Sequence, residues 1–283
     1  MKSHLTLTLI FSLLVFSLLA QDVQGVATYK AHRKVDIQMD STQMNDEMMD
    51  RMQAMLRKQF EKEYTLEFNA TESMYKEVET LEKPETMIGN GAEVMVVVSG
   101  SGAADELYKN VAENRYVNQN ELMGKEFLIK DLLKLPNWTL TKESKNIGTY
   151  TCFKATYTDT RTITRMVSSS ENGKTETKDE SEEEEYTVTA WYTPQIPVNH
   201  GPQQYFGLPG LILEVTDGTE TLLCNKVVLN PKNGVKIKEP TKGKVVSQVE
   251  YDEITEKKSK EMQERFQSSR RGEGRSVEIR IGG

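Results

Sequence analysis

The chain has 283 residues, with 36 lysines and arginines against 43 aspartates and glutamates, a formal net charge of −7 and three histidines. This acidic balance argues against a general nucleic-acid binder, whose grip on phosphate backbones needs clustered lysine and arginine. A His-rich zinc site is excluded as well, because His4 falls in the leader described next and only His32 and His200 remain.

Residues 1–20 read as a secretory signal peptide: Lys2 precedes the apolar run Leu5 to Leu19, which carries no acid. At roughly 15 residues the run falls short of the ~20 that cross a bilayer. The expected cut follows Ala20, with Gly25 as second choice, and no cysteine stands there to take a lipid. Loss of Lys2 leaves 35 basic against 43 acidic residues, a charge of −8. The expectation is a periplasmic or secreted protein with no membrane span.

Gly25 to Ile37, with Val26, Tyr29, Val35 and Ile37 in no helical stripe, predicts a first strand. The period then changes. From Asn45 to Lys62, Met48, Met52, Met55, Leu56, Gln59 and Phe60 fall near one face of a methionine-rich amphipathic helix. Tyr64, Leu66 and Phe68 alternate with Thr65, Glu67 and Asn69, which returns the chain to a strand. Short β-favouring runs at Val94 to Val98, Tyr116 to Gln119, Phe127 to Ile129, Thr139 to Thr141 and Tyr150 to Tyr157 predict antiparallel pairing.

Ser168 to Glu185 is rich in Ser, Lys and Glu and ends in four glutamates. Such a run buries no apolar area, so it is expected as a mobile excursion between two hairpin strands. Calcium capture by Glu182 to Glu185 would need ligands converging from a shaped loop. Pro194, Pro197 and Pro202 cannot donate to a ladder, so Thr193 to Gln204 should cross the end or edge of the sheet. Tyr205 and Phe206 then cover the core, and Leu208-Pro209-Gly210-Leu211 has the composition of a type II turn. Leu211 to Val215 should run as a strand, turn at Asp217-Gly218, and pair back through Thr221 to Leu229. Val245 to Tyr251 is expected as a last strand, Ile254 to Gln267 as a charged helix, and Arg270 to Gly283 as a tail.

The predicted fold is mainly β (α+β). A single domain over residues 21–253 is dominated by one strongly curved antiparallel sheet, half-barrel-like, with the methionine helix packed across its open face. Residues 254–283 form the charged helix and flexible tail.

The run from Trp191 to Val215, with Gly207, Leu208, Pro209, Gly210, Leu211 and Ile212 as its signature, resembles the GLPGLI family. Tyr150-Thr151-Cys152-Phe153-Lys154-Ala155 looks like that family's Tyr-x-Cys-x-Lys-Ala stretch, and Trp191-Tyr192-Thr193-Pro194 with Gly201-Pro202 is similar to its central block. The resemblance runs from about Gly25 to Leu229. It implies an exported protein of a two-membrane bacterium, and it carries over no catalytic residue and no agreed activity.

Cys152 and Cys224 are the only cysteines. In an oxidising compartment an isolated pair reads as a disulfide, and closing this loop of about 72 residues would stabilise the fold by roughly 4 kcal/mol. A redox-active pair would instead favour Cys-x-x-Cys spacing. Met44, Met48, Met52 and Met55 recur at or near helical spacing, which suits either soft Cu(I) ligation or a pliable apolar groove. His200 is a candidate general base or an ordinary loop histidine. No nucleophile elbow, phosphate-cradling loop or dinucleotide fingerprint is present, and no cofactor is expected.

The leading expectation is a noncatalytic envelope binding module, taking an apolar chain or an outer-membrane protein partner in a cleft lined by Met48, Met52, Met55, Trp191, Tyr205 and Phe206. Copper handling by the methionine helix is one alternative. An enzyme using His200, Tyr205 or Glu214 of the signature region is another.

Overall fold

Extended segments that are apolar on one side fold by burying that side, and this principle accounts for most of the architecture. The computed structural model describes residues 23–33, 62–78, 87–89, 92–94, 106–171 and 174–269. The strands are β1 (Gly25–Arg33), β2 (Lys62–Phe68), β3 (Glu72–Glu77), β4 (Met87–Gly89), β5 (Ala92–Val94), β6 (Glu106–Asn110) and β7 (Arg115–Leu122). They continue as β8 (Lys125–Leu132), β9 (Thr139–Ile147), β10 (Tyr150–Glu171), β11 (Lys174–Thr193), β12 (Leu211–Thr216), β13 (Glu220–Leu229) and β14 (Lys244–Val246), followed by helix α1 (Gln248–Ser269).

Twelve strands form one open sheet in the order β14, β8, β7, β6, β3, β2, β1, β13, β12, β11, β10, β9, and β4 pairs with β5 apart from it. Every neighbouring pair is antiparallel except β14 on β8. The mainly β, antiparallel fold expected from the sequence is therefore present. The methionine helix, with Met44, Met48, Met52 and Met55, lies outside the described residues.

Turn chemistry fixes the registers. Asn69 closes the β2–β3 turn by accepting from the backbone N–H groups of Thr71 (2.9 Å) and Glu72 (2.7 Å). Met123 and Gly124, both with positive φ (51° and 76°), make the two-residue connection from β7 to β8. Asp217 accepts from the backbones of Thr219 (2.8 Å) and Glu220 (2.7 Å), turning β12 into β13 where the sequence placed the turn.

Across the sheet, Ala27, Leu66, Tyr75, Leu107, Asn118, Ile129 and Val246 stand opposite one another and share a face. The adjacent row on the same face is Gly25, Phe68, Ser73, Lys109, Tyr116 and Asp131. Leu66 and Phe68 are fully buried there, and each such side chain contributes about 2 kcal/mol of transfer free energy. Two segments cover this face. Ile196 and Val198, between β11 and β12, join the core of β1, β2 and β13. Tyr251 and Ile254 of α1 pack on Phe127, Ile129 and Val246. On the other face, Ile237 covers Met74, Tyr108, Val117 and Leu128.

Three boundaries differ from expectation. The last strand is only Lys244–Val246, and α1 begins at Gln248 rather than Ile254. A capping box explains the early start: Glu250 accepts from the Ser247 backbone (2.7 Å) while the Ser247 hydroxyl accepts from the Glu250 N–H (3.3 Å). Gln248 and Tyr251 then reach the sheet through Tyr116 and Asn120, both at 2.8 Å.

The third difference is the acidic segment 168–185, expected as an excursion, whose described residues 168–171 and 174–185 belong to a ladder. β10 and β11 stay in register from Phe153–Tyr192 to Glu171–Lys174. The ladder needs only backbone groups, so a composition unable to build a core can still form it.

Candidate functional site

The segment between β11 and β12 carries the signature and is held by backbone and buried side-chain bonds. Leu211 donates to the Ile196 carbonyl (3.0 Å), Ile212 to His200 (3.1 Å) and Gly207 to Asn199 (3.0 Å). Tyr29 of β1 donates to the Ile212 carbonyl (2.7 Å), and Trp138 Nε1 donates to the Phe206 carbonyl (2.9 Å). The expected type II turn is replaced by a tighter closure in which Gly210 donates to Leu208 (2.8 Å) while Leu211 turns to Ile196. A Cβ at Gly210 would overlap the Thr193 carbonyl, and one at Gly201 would lie 2.7 Å from both Ile212 Cδ1 and the Tyr205 carbonyl. Glycine is required at both positions by close approach.

Beneath this segment sits the most unusual group of the described chain. Lys109, the penultimate residue of β6, is fully buried. Its ammonium donates to the carbonyls of Gly201 (2.8 Å), Gln203 (2.5 Å) and Tyr205 (3.4 Å). Burial pulls Lys109 down to about 7, and the three converging carbonyls act the other way by favouring its charged form. The lysine is thus a fastener that ties three alternate residues of the signature segment to a strand some 92 residues earlier.

His200 is also fully buried. Burial first, then the charge of Lys109, pull its imidazole down to about 3, opposed by the backbone of Asn69. Neither ring nitrogen makes a hydrogen bond of good geometry, so the Asn69 backbone acts on it as a weak, poorly aligned acceptor. The ring is neutral and enclosed. Ser73, opposite Lys109 in register, likewise buries its hydroxyl without a partner.

Three of the expected ligand residues, Trp191, Tyr205 and Phe206, are described, and Trp191 and Tyr205 pack in different clusters. Tyr205 packs into the cluster of Tyr192, Leu208, Ile212, Val215 and Leu222. Phe206 is 6% exposed. Trp191 shares the opposite face of β11 with Glu214, since Ala190, Val215 and Leu222 align on the other face. Its ring carries the Lys145 ammonium at 4.4 Å, and that ammonium also pairs with Glu214 at 2.6 Å. Met48, Met52 and Met55 lie outside the described residues. The signature residues Leu208, Leu211 and Ile212 are buried core.

The structure does not form the expected disulfide. Cys152 and Cys224 are both free and buried, and burial pushes their thiols up to about 11 and about 12. Cys152 is on β10 and Cys224 on β13, with β11 and β12 between them. Each thiol instead donates to a backbone carbonyl of its own strand, Cys152 to Tyr150 (3.7 Å) and Cys224 to Lys226 (3.4 Å). Both sulfurs nonetheless belong to one apolar cluster.

Two openings among the described residues are lined largely by charged side chains. One, of about 300 Å³, is lined by Glu67, Met74, Lys76, Glu106, Gln119, Lys236 and Lys238 among others. Another, of about 350 Å³, lies along α1 between Glu253, Glu256, Lys257, Lys260 and Glu261. Among the described residues no group of three or more His, Cys, Asp or Glu is placed to hold a metal ion, and no helix is long and apolar enough to cross a membrane.

The feature that leaves the body of the sheet is the β10–β11 ribbon, which sequence reasoning missed. β9 accompanies β10 only to Thr156, and β12 accompanies β11 only from Thr189. From Tyr157–Val188 to Glu171–Lys174 the two strands run alone among the described residues, about 50 Å at ~3.4 Å per residue. The base is braced: Trp138 meets Tyr157 edge-on at 4.7 Å, and Arg161 reaches Glu184 (2.8 Å) and Thr219 (3.1 Å). Glu182 to Glu185 are exposed along it.

Residues 138–214, from Trp138 through the signature to Glu214, match the family described as "Protein of unknown function (Porph_ging)". No curated protein matches the chain. The chain is similar to the solved structure described as "Structure of PNGF-II in C2 space group", with 12% identity, a TM-score of 0.44, and coverage of 82% of this chain and 32% of that one. A second, "Structure of PNGF-II in P21 space group", gives 12% identity, a TM-score of 0.43 and coverage of 83% and 33%. The chain therefore spans about a third of the length of PNGF-II.

Proposed function

We propose that the chain is an exported, noncatalytic binding module of the cell envelope that engages a protein partner through the β10–β11 ribbon. The observation that carries this reading is the ribbon's departure from the sheet as two strands with no third strand beside them among the described residues. A two-stranded ribbon in water is marginal on its own, and a further strand or covering layer stabilises it. Its open backbone edges are also the usual means by which one chain recruits an extended segment of another.

The signature segment supports the noncatalytic half of the proposal. Its one histidine is enclosed and held neutral, and Tyr205 is committed to packing. The same packing favours a protein partner over an apolar chain: Ile196, Val198 and Leu208 are buried in the core of the body.

The test is cross-linking and affinity capture from the native host's envelope, using the intact chain and a variant in which residues 159–186 are replaced by Asn-Gly. The reading expects a partner captured by the intact chain and lost from the shortened one, with the thermal transition of the body retained. Equal capture by both would overturn it.

A further inference from the structure

The ribbon has two edges, and the sequence treats them differently. Along β11, Lys174 to Glu185 carries seven acids and two lysines. Along β10, the stretch Thr162 to Ser170 carries Arg165 as its one charge and is otherwise Thr, Ile, Met, Val and Ser. Acidic side chains on an edge strand oppose pairing with a like strand, because equal charges then face each other. The β11 edge is protected against self-pairing in this way and the β10 edge is not.

We propose that β10 pairs antiparallel with β10 of a second copy across a two-fold axis at Met166, joining two two-stranded ribbons into one four-stranded arm. This rests on the reading of the ribbon as the interaction element and names its occupant on the β10 side. The axis position follows from sterics and charge. β9 flanks β10 as far as Thr156, so an axis at Thr162 would drive the far ribbon tip into β9. An axis at Arg165 would set two arginines opposite each other.

At Met166 the paired span is Arg161 to Glu171 in each copy, and Arg161 of one stands opposite Glu171 of the other at both ends. Thr162, Ile163 and Thr164 then face Ser170, Ser169 and Ser168. Antiparallel self-pairing is isologous and closes on itself, so it yields a dimer rather than a fibre. The two acidic β11 edges are left on the outside.

The experiment is sedimentation velocity of the purified chain over a concentration series, with three variants. Wild type should show a reversible monomer–dimer equilibrium. Met166→Lys, which sets two ammonium groups together on the axis, should weaken it by about tenfold or more. Met166→Cys should cross-link two copies on mild oxidation, while Glu143→Cys on the β9 edge should not, and both should keep the wild-type thermal transition.

A strictly monomeric wild type, or a dimer indifferent to Met166→Lys, would overturn the proposal. Failure here and failure of the functional reading are separable. A monomer that still captures an envelope partner through its ribbon sinks only the dimer, and a dimer with no ribbon-dependent partner sinks only the binding function.

Discussion

Replacing His200 with glutamine should change how the fold responds to acid. The imidazole is fully buried and is held at about 3 by burial and by the Lys109 charge, against an ordinary value of about 6.5 in the unfolded chain. The folded-state value is the depressed one, so the unfolded chain takes up the proton first as pH falls. The stability associated with the neutral ring is therefore complete above about pH 6.5 and is lost progressively down to about pH 3, at roughly 1.4 kcal/mol per pH unit. Urea unfolding of wild type and His200→Gln from pH 7.5 to 4.5 isolates this contribution, because surface carboxylates titrate alike in both. The difference in unfolding free energy between the two should shift against wild type by about 2–3 kcal/mol over that range. Parallel curves would refute the burial of His200 and with it the closed packing of the signature segment.

Lys109→Met keeps the apolar stem but leaves the carbonyls of Gly201, Gln203 and Tyr205 without their donor. Chemical denaturation should register a loss of about 3 kcal/mol. Gly210→Ala places a methyl on the Thr193 carbonyl, whereas Gly218→Ala meets nothing within 4 Å and bears only the cost of φ +90°. Calorimetry should find the first more damaging by about 2 kcal/mol. Thiol titration with a chromogenic disulfide should detect neither Cys152 nor Cys224 in the folded chain and both after denaturation. A count of zero in denaturant would mean that the pair is oxidised after all.

The elements legible in the sequence were those whose cause is local. Tyr64, Leu66 and Phe68 declare β2 by alternation, and Asp217-Gly218 declares its turn by composition. What escaped depends on distant partners. β6 contains Lys109, and a lysine in a strand reads as surface until the three carbonyls that hold it are known. Prolines were read as barring Thr193 to Gln204 from the ladder; Thr193 pairs with Leu211 all the same, and only the tertiary bonds of Leu211, Ile212 and Gly207 make the rest a filling rather than a rim. The Ser247–Glu250 box was a local signal for the helix start that the apolar pattern of Val245 to Tyr251 obscured. The ribbon was hidden by its own composition, since acids that cannot pack can still hydrogen-bond through their backbone.

Hydrogen exchange of the chain diluted until it sediments as a monomer, resolved to peptides, bears most directly on the division of labour between a closed body and a working ribbon. The amides of Gly207, Gly210, Leu211 and Ile212 should exchange as slowly as those of β1 and β2, and the ribbon from Thr160 to Glu185 should exchange faster and gain protection when a partner strand is supplied. A signature segment that exchanges rapidly, above a ribbon already protected in the isolated monomer, would contradict the account.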